Sequence, residues 1–142
     1  MKNVISTLSL VVMSLLLNAA LVNAQTAKAN VPFAFSIGAT QLPAGTYTIV
    51  SDGGDSNAII VRNLATGESA MSLAASQESA EPTTSKLVFH HVGAEYFLAE
   101  VWRVSGTDGK TLPTTKRERE LTKELQLAKD AGRRGQVIVA LK

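Results

Sequence analysis

Ser85–Val104 reads SKLVFHHVGAEYFLAEVWRV. The spacing predicts two strands, Lys86–His91 and Glu95–Val104, joined by a tight turn at Val92-Gly93-Ala94. The stretch carries Phe89, Tyr96, Phe97 and Trp102, most of the Phe, Tyr and Trp in the chain. Large rings bury the most apolar area per residue, so a small domain places them in its core. This hairpin is therefore expected to be the centre of the fold.

The segments before it read as a series of short strands. In Val31–Ile37, VPFAFSI, Phe33, Phe35 and Ile37 alternate with Ala34 and Ser36, the period of a half-buried strand. Pro32 lacks a donor and suits the start or edge of that strand. Gly38–Gly45 contains Pro43 and Gly45 and reads as a turn region. Thr46–Ser51, Asn57–Asn63 and Glu68–Ala74 follow as strands, separated by Asp52–Ser56 and Leu64–Gly67. The run DGGDS has carboxylates and glycine but lacks calcium-loop spacing, so it is read as a plain turn. Gln25–Asn30 reads as a polar leader, Ser76–Thr84 as an exposed polar break, and Ser105–Leu112 as a loop.

After the hairpin comes one helical pattern, Thr115–Ala131. Thr115 and Glu118 stand at capping-box spacing, in which each side chain can serve the other residue's backbone N–H. Leu121, Leu125 and Ala128 recur at helical spacing among charged residues, and Gly132 closes the segment. Gln136–Leu141 is a final strand. Six strands, one helix and one strand give a mainly β fold with one amphipathic helix before the last strand. Short links favour antiparallel neighbours. Pairing of the last strand with the first would remove both sheet edges. A small antiparallel barrel is therefore favoured, with a two-layer β-sandwich as the second choice.

The first residues belong to a different class. Met1–Asn3 carries one positive charge, Val4–Leu17 is apolar, and Ala24 ends a stretch of small residues. This pattern predicts a signal peptide over 1–24, cleaved before Gln25. The apolar run is shorter than the roughly 20 residues a membrane span needs. The mature chain, residues 25–142, is the size of one domain. The predicted location is the periplasm or outside the cell, with no transmembrane segment in the mature chain. The chain has no cysteine, which excludes disulfides and thiol chemistry, so packing alone must hold it. Acidic and basic residues are nearly balanced, 12 against 14. That balance, together with export, argues against a nucleic-acid partner.

The blocks VPFAFSIG, LPAGTYTIV, KLVFHHVGAEYFLAEVW and GKTLPTTKRERELTK, in that order, run from Val31 to about Lys123. This pattern resembles a family of small exported bacterial proteins of unknown function. The resemblance implies an exported β-rich domain. It brings no activity, substrate or cofactor.

Residues able to do chemistry are few. His90 and His91 adjoin the turn, with Glu95 and Glu100 on the partner strand. Neighbouring residues on a strand point to opposite faces, so the two imidazoles diverge, and zinc wants three or four convergent ligands. No serine sits in a nucleophile elbow. Glu78, Glu81, Glu95 and Glu100 are read as solvated surface carboxylates and not as a glycosidase pair. Lys116, Arg117, Arg119, Arg133 and Arg134 make a basic end, diluted by Glu118, Glu120 and Glu124. No catalytic residue, metal site or cofactor is assigned. The reading is a non-enzymatic β-domain with a structural or binding role in the cell envelope. The alternative is a carrier of a small apolar ligand, lipocalin-like in layout, with Phe89, Tyr96 and Trp102 lining its cavity. The expected partner is accordingly an envelope component or such a ligand.

Overall fold

The computed structural model describes residues 26–51, 57–79, 84–102, 108–129 and 133–142. The expected signal peptide and the DGGDS turn lie outside them. The described elements are β1 (Thr26–Val31), β2 (Phe35–Ile37), β3 (Thr40–Leu42), β4 (Gly45–Ser51), β5 (Ala58–Asn63), β6 (Ser69–Leu73), β7 (Ala75–Glu78), β8 (Lys86–Val92), β9 (Glu95–Trp102), β10 (Asp108–Thr111), α1 (Lys116–Leu127) and β11 (Arg134–Ala140).

The fold is mainly β with one helix before the last strand, as the sequence predicts. The strands form two sheets. The first has the order β1-β4-β5-β6. The second has the order β11-β8-β9-β10-β7, with β2 added to β9 and β3 to β2. All pairings are antiparallel except the single bridge Ser36↔Phe97 between β2 and β9. The favoured barrel is not formed, and the facing sheets match the sandwich. The physical reason is the choice made by the last strand. β11 pairs along its whole length with β8, from Arg134↔Val92 to Ala140↔Lys86. Its end lies against β1, but the two share no ladder beyond Lys28 and Lys142, whose N–H and C=O groups bond reciprocally at 2.9 Å. At the other side a single residue, Ala74, separates β6 in one sheet from β7 in the other.

Several strands lie where polar segments conceal them. β1 falls largely in the expected leader, β3 in the turn region, β7 in the polar break and β10 in the loop. All are short or lie at the sheet margins, where backbone pairing suffices and the side chains need not be apolar. In β1 the inward residues are Ala27, Ala29 and Val31, alternating with Thr26, Lys28 and Asn30. The strand expected over Val31–Ile37 is cut at Pro32: β1 ends at Val31 and β2 starts at Phe35.

The core lies between the sheets. Val31, Tyr47, Ile49, Ile59 and Val61 enter it from the first sheet, and Phe35, Ile37, Leu87, Phe89, Leu98 and Val101 from the second. Each fully buried aliphatic or ring side chain contributes about 1.5–3 kcal/mol of transfer free energy. Phe35 meets Tyr47 and Phe89 edge-on, both at 5.1 Å between ring centroids. Tyr47 is fully buried, and its hydroxyl donates to the carbonyl of Pro43, four residues back. That bond explains the block LPAGTY: the turn and the ring that holds it closed are one unit.

In β9 the alternation changes phase. Val88 pairs with Glu100, but Phe89 pairs with Leu98, so Ala99 is an extra residue. Such a bulge reverses which face later side chains meet. Tyr96 and Leu98 point inward before it, and Val101 points inward after it. Glu100 and Trp102 are thereby set on the outer face. The Ala99 carbonyl accepts from Leu112 N–H at 2.8 Å. The Trp102 ring lies over Gly109, its cross-strand neighbour. A Cβ at residue 109 would come within 2.6 Å of that ring. Only glycine lets the indole lie flat there.

The helix is shorter than Thr115–Ala131. It runs from Lys116 to Leu127, and Lys129 turns the chain with φ 56°, ahead of Gly132. Leu121 and Leu125 face inward and are half-buried, whereas Leu127 is exposed. The turn between β8 and β9 has Gly93 at φ 65° as the first of its two loop residues, the place a primed hairpin turn gives to glycine.

Two outcomes test this architecture. Gly109→Ala should lower unfolding free energy by about 1–3 kcal/mol through overpacking against Trp102, read from urea denaturation. Equal stability would show that the indole does not lie there. Tyr47 supplies the second. Burial raises its phenol above the ordinary value of 10.0, a hydrogen bond with Asn63 opposes this, and the charge of Glu68 adds to it. In the unfolded chain the phenol therefore loses its proton at lower pH than in the folded one. Its contribution is fully present below pH 10.0 and is lost as pH rises above that. Tyr47→Phe should flatten part of the alkaline loss of stability.

Candidate functional site

The β8–β9 hairpin gathers the residues with the most chemistry. On β8, Val88, His90 and Val92 face outward, and Leu87 and Phe89 face the core. The two histidines therefore diverge. His90 lies under the first turn of α1, and His91 sits at the rim of the interior.

The first turn of α1 carries the outer half of the site. Thr115 Oγ1 accepts from Glu118 N–H at 3.0 Å, which caps the helix. The reciprocal half of the capping box is not made. The Glu118 carboxylate turns across to β8 instead, placing Oε1 2.7 Å from Nδ1 of His90. Glu118 is the one buried residue of the helix, while His90 keeps one third of its side chain exposed. With the carboxylate oxygen as acceptor, Nδ1–H of His90 is the donor in this contact. A groove of about 390 Å³ opens here, lined by His90, His91, Val92, Glu118, Arg134, Gly135 and Gln136.

A second strap lies beside the first. Arg117 directs Nη2 and Nε to Glu95 Oε1, at 2.6 and 3.0 Å. The hydrogen bond to Glu95 holds the guanidinium above its already high ordinary value. The rest of the basic end is partly engaged as well. Lys116 lies 3.8 Å from Glu120, and Arg119 donates to the Thr114 carbonyl at 2.6 Å.

On the inner rim three rings lie in a row. His91 stacks on Tyr96 with centroids 4.4 Å apart and planes at 13°, and Tyr96 stacks on Phe33 at 4.1 Å and 19°. Phe33 meets Phe89 edge-on at 5.1 Å. The expected cavity residues thus separate. Phe89 and Tyr96 are linked through Phe33, with Phe89 fully buried and Tyr96 half-buried. Trp102 stands on the opposite face of β9, its Nε1–H donating to Glu100 Oε2 at 2.6 Å.

A histidine oriented by a carboxylate is two thirds of a nucleophilic triad. The third part is not supplied: among the described residues no hydroxyl is hydrogen-bonded to His90. No group of three or more His, Asp or Glu among them could hold a metal ion. Glu118 is the functional contact that sequence reasoning missed. Its capping spacing was visible, but its reach to His90 depends on how the helix lies on the sheet. Comparison with family models, curated proteins and solved structures returns no match.

If the His90–Glu118 contact fastens the helix, His90→Ala and Glu118→Ala should be coupled in stability. The expected coupling in a double-mutant cycle is about 1–3 kcal/mol. Additive effects would show that the contact contributes nothing.

Proposed function

We propose that the protein is an exported, non-enzymatic β-domain with a structural or binding role in the cell envelope. One observation carries the non-enzymatic part. Every group that invited a chemical reading on the hairpin is engaged in holding the fold. His90 is bonded to Glu118, His91 is stacked on Tyr96, Glu95 is paired with Arg117, and Glu100 accepts from Trp102. A nucleophilic triad also needs a hydroxyl on the second nitrogen of its histidine, and none among the described residues is bonded to His90.

Export is supported by the n-region, apolar run and small residues before Gln25. It is also supported by the resemblance to small exported bacterial proteins. No helix among the described residues is long and apolar enough to cross a membrane. A binding role is favoured by the outer face of the first sheet. Ile60 and Met71 are cross-strand partners there, with Leu73 two residues further on. They are 40, 65 and 68 % exposed. Contiguous apolar surface of this kind marks contact regions.

The ligand-carrier reading requires free space between the sheets. Phe33, Phe35, Tyr47 and Phe89 touch one another there, which favours an interior filled by its own side chains. A thermal-shift titration with a mixed phospholipid and fatty-acid preparation separates the readings. A ligand that binds only the folded state must raise its melting temperature. No rise is expected. A dose-dependent rise of several degrees would overturn the proposal in favour of a carrier.

A further inference from the structure

Two rings of the second sheet stand opposite a glycine on the neighbouring strand, and only one of them covers it. Trp102 lies over Gly109, where a Cβ would come within 2.6 Å of the indole. His91 pairs with Gly135 across β8 and β11. Its ring is turned the other way, onto Tyr96 at 4.4 Å. A Cβ at Gly135 would meet no described atom within 4 Å. Beside His91 the sheet is therefore bare where the next side chain of that face would stand.

The bare place continues the row of rings. Phe33, Tyr96 and His91 follow one another at 4.1 and 4.4 Å, with planes 19° and 13° apart. Tyr96 is on β9, His91 on β8 and Gly135 on β11. Neighbouring strands lie about 4.7–4.9 Å apart. A flat ring over Gly135 would thus stack on His91 at nearly the spacing the row already keeps. β11 is the outermost strand of its sheet, and its bonds to β1 are at the far end, through Lys142. The slot therefore opens sideways. His91 and Gly135 both line the groove of about 390 Å³ described above, a size that holds small ligands. Arg134 lines the same groove, is exposed, and makes no ion pair or hydrogen bond with a described residue. Glu118, the carboxylate of the groove, is turned to His90. The charge left unmatched there is positive.

We propose that the slot over Gly135 binds a small aromatic carboxylate, its ring stacked on His91 and its acid group met by Arg134. Stacked rings attract beyond the area they bury, which favours a flat π face over a puckered ring of the same size. The guanidinium offers a fork of donors that matches a carboxylate. The site is separate from the apolar face of the first sheet. The inference rests neither on export nor on the role proposed above.

The test titrates the protein, produced from its full-length chain, with benzoate, benzyl alcohol and cyclohexanecarboxylate. Nuclear magnetic resonance follows the Gly135 amide and the His91 ring protons. Benzoate should bind with a Kd of about 1 mM or tighter and shift both signals through its ring current. Benzyl alcohol lacks the charge and cyclohexanecarboxylate lacks the flat face, so each should bind about threefold more weakly or worse. Gly135→Val fills the slot without a clash and suits a strand. It should keep the melting temperature and weaken benzoate about tenfold or more. Should circular dichroism show that variant unfolded, His91→Ala decides, since it removes the stacking surface and leaves β11 untouched. Arg134→Gln should bring benzoate down to the affinity of benzyl alcohol and leave benzyl alcohol unchanged. No shift at about 10 mM benzoate overturns the proposal, being too weak a contact to matter. So does binding that the folded slot or platform variant leaves intact. Cyclohexanecarboxylate binding as tightly as benzoate overturns the stacking, and benzyl alcohol doing so overturns the part given to Arg134.

Discussion

Phe89 meets Phe33 and Phe35, and Phe35 in turn meets Tyr47 of the opposite sheet. Through these edge-on contacts the hairpin is tied to β4, and so one sheet to the other. No disulfide can substitute for them. A domain of this size buries of the order of two thirds of its unfolded surface, and its stability is a small remainder of large opposing terms. Ring packing between the layers is therefore the contribution the architecture can least lose. The remaining elements attach to it in order: β2 beside β9, β11 on β8, and α1 across the outside of β8.

A single residue decides how the two faces of the hairpin are used. Without the bulge at Ala99, Trp102 would follow Tyr96 and Leu98 inward, and Val101 would turn out. With it, aliphatic residues stay in the core while the indole moves to the outer face over Gly109. The inner layer is then occupied by rings from β2, β4 and β8, and the outer face of the hairpin is free to receive α1. The helix is fastened there by carboxylate contacts, Glu118 to His90 and Glu95 to Arg117. The polar residues of the hairpin serve assembly of the layers.

The hairpin, the ring-rich core, the helix and its N-cap were legible because each has a strong local signal. Alternating large apolar residues marked β8 and β9, and Thr115 with Glu118 marked the helix start. Elements with weak side-chain patterns were not legible. Ala27 and Ala29 are too small to announce β1, and Asp108–Thr111 joins the sheet through its backbone. Closure was misjudged because the pairing of β11 depends on which neighbour it meets in space. That choice is not encoded in its own alternation. At the site, both histidines and Glu95 were identified, but their partners were not. A contact such as Glu118 with His90 spans 28 positions, and it exists only once the helix is laid on the sheet. The ring row was half visible: Tyr96 was singled out, whereas Phe33 was read only as part of a strand.

The helix is held unevenly. Its first turn has the cap of Thr115, the buried Glu118 and the Arg117 strap, whereas Leu127 at its last turn is 85 % exposed and that turn carries no basic residue. Local opening draws on the parts with the fewest buried contacts. Fraying of α1 would accordingly start at its carboxyl end and stop at the clasp on His90. The hairpin beneath would keep its cover near His90 even while the far end of the helix melts and re-forms.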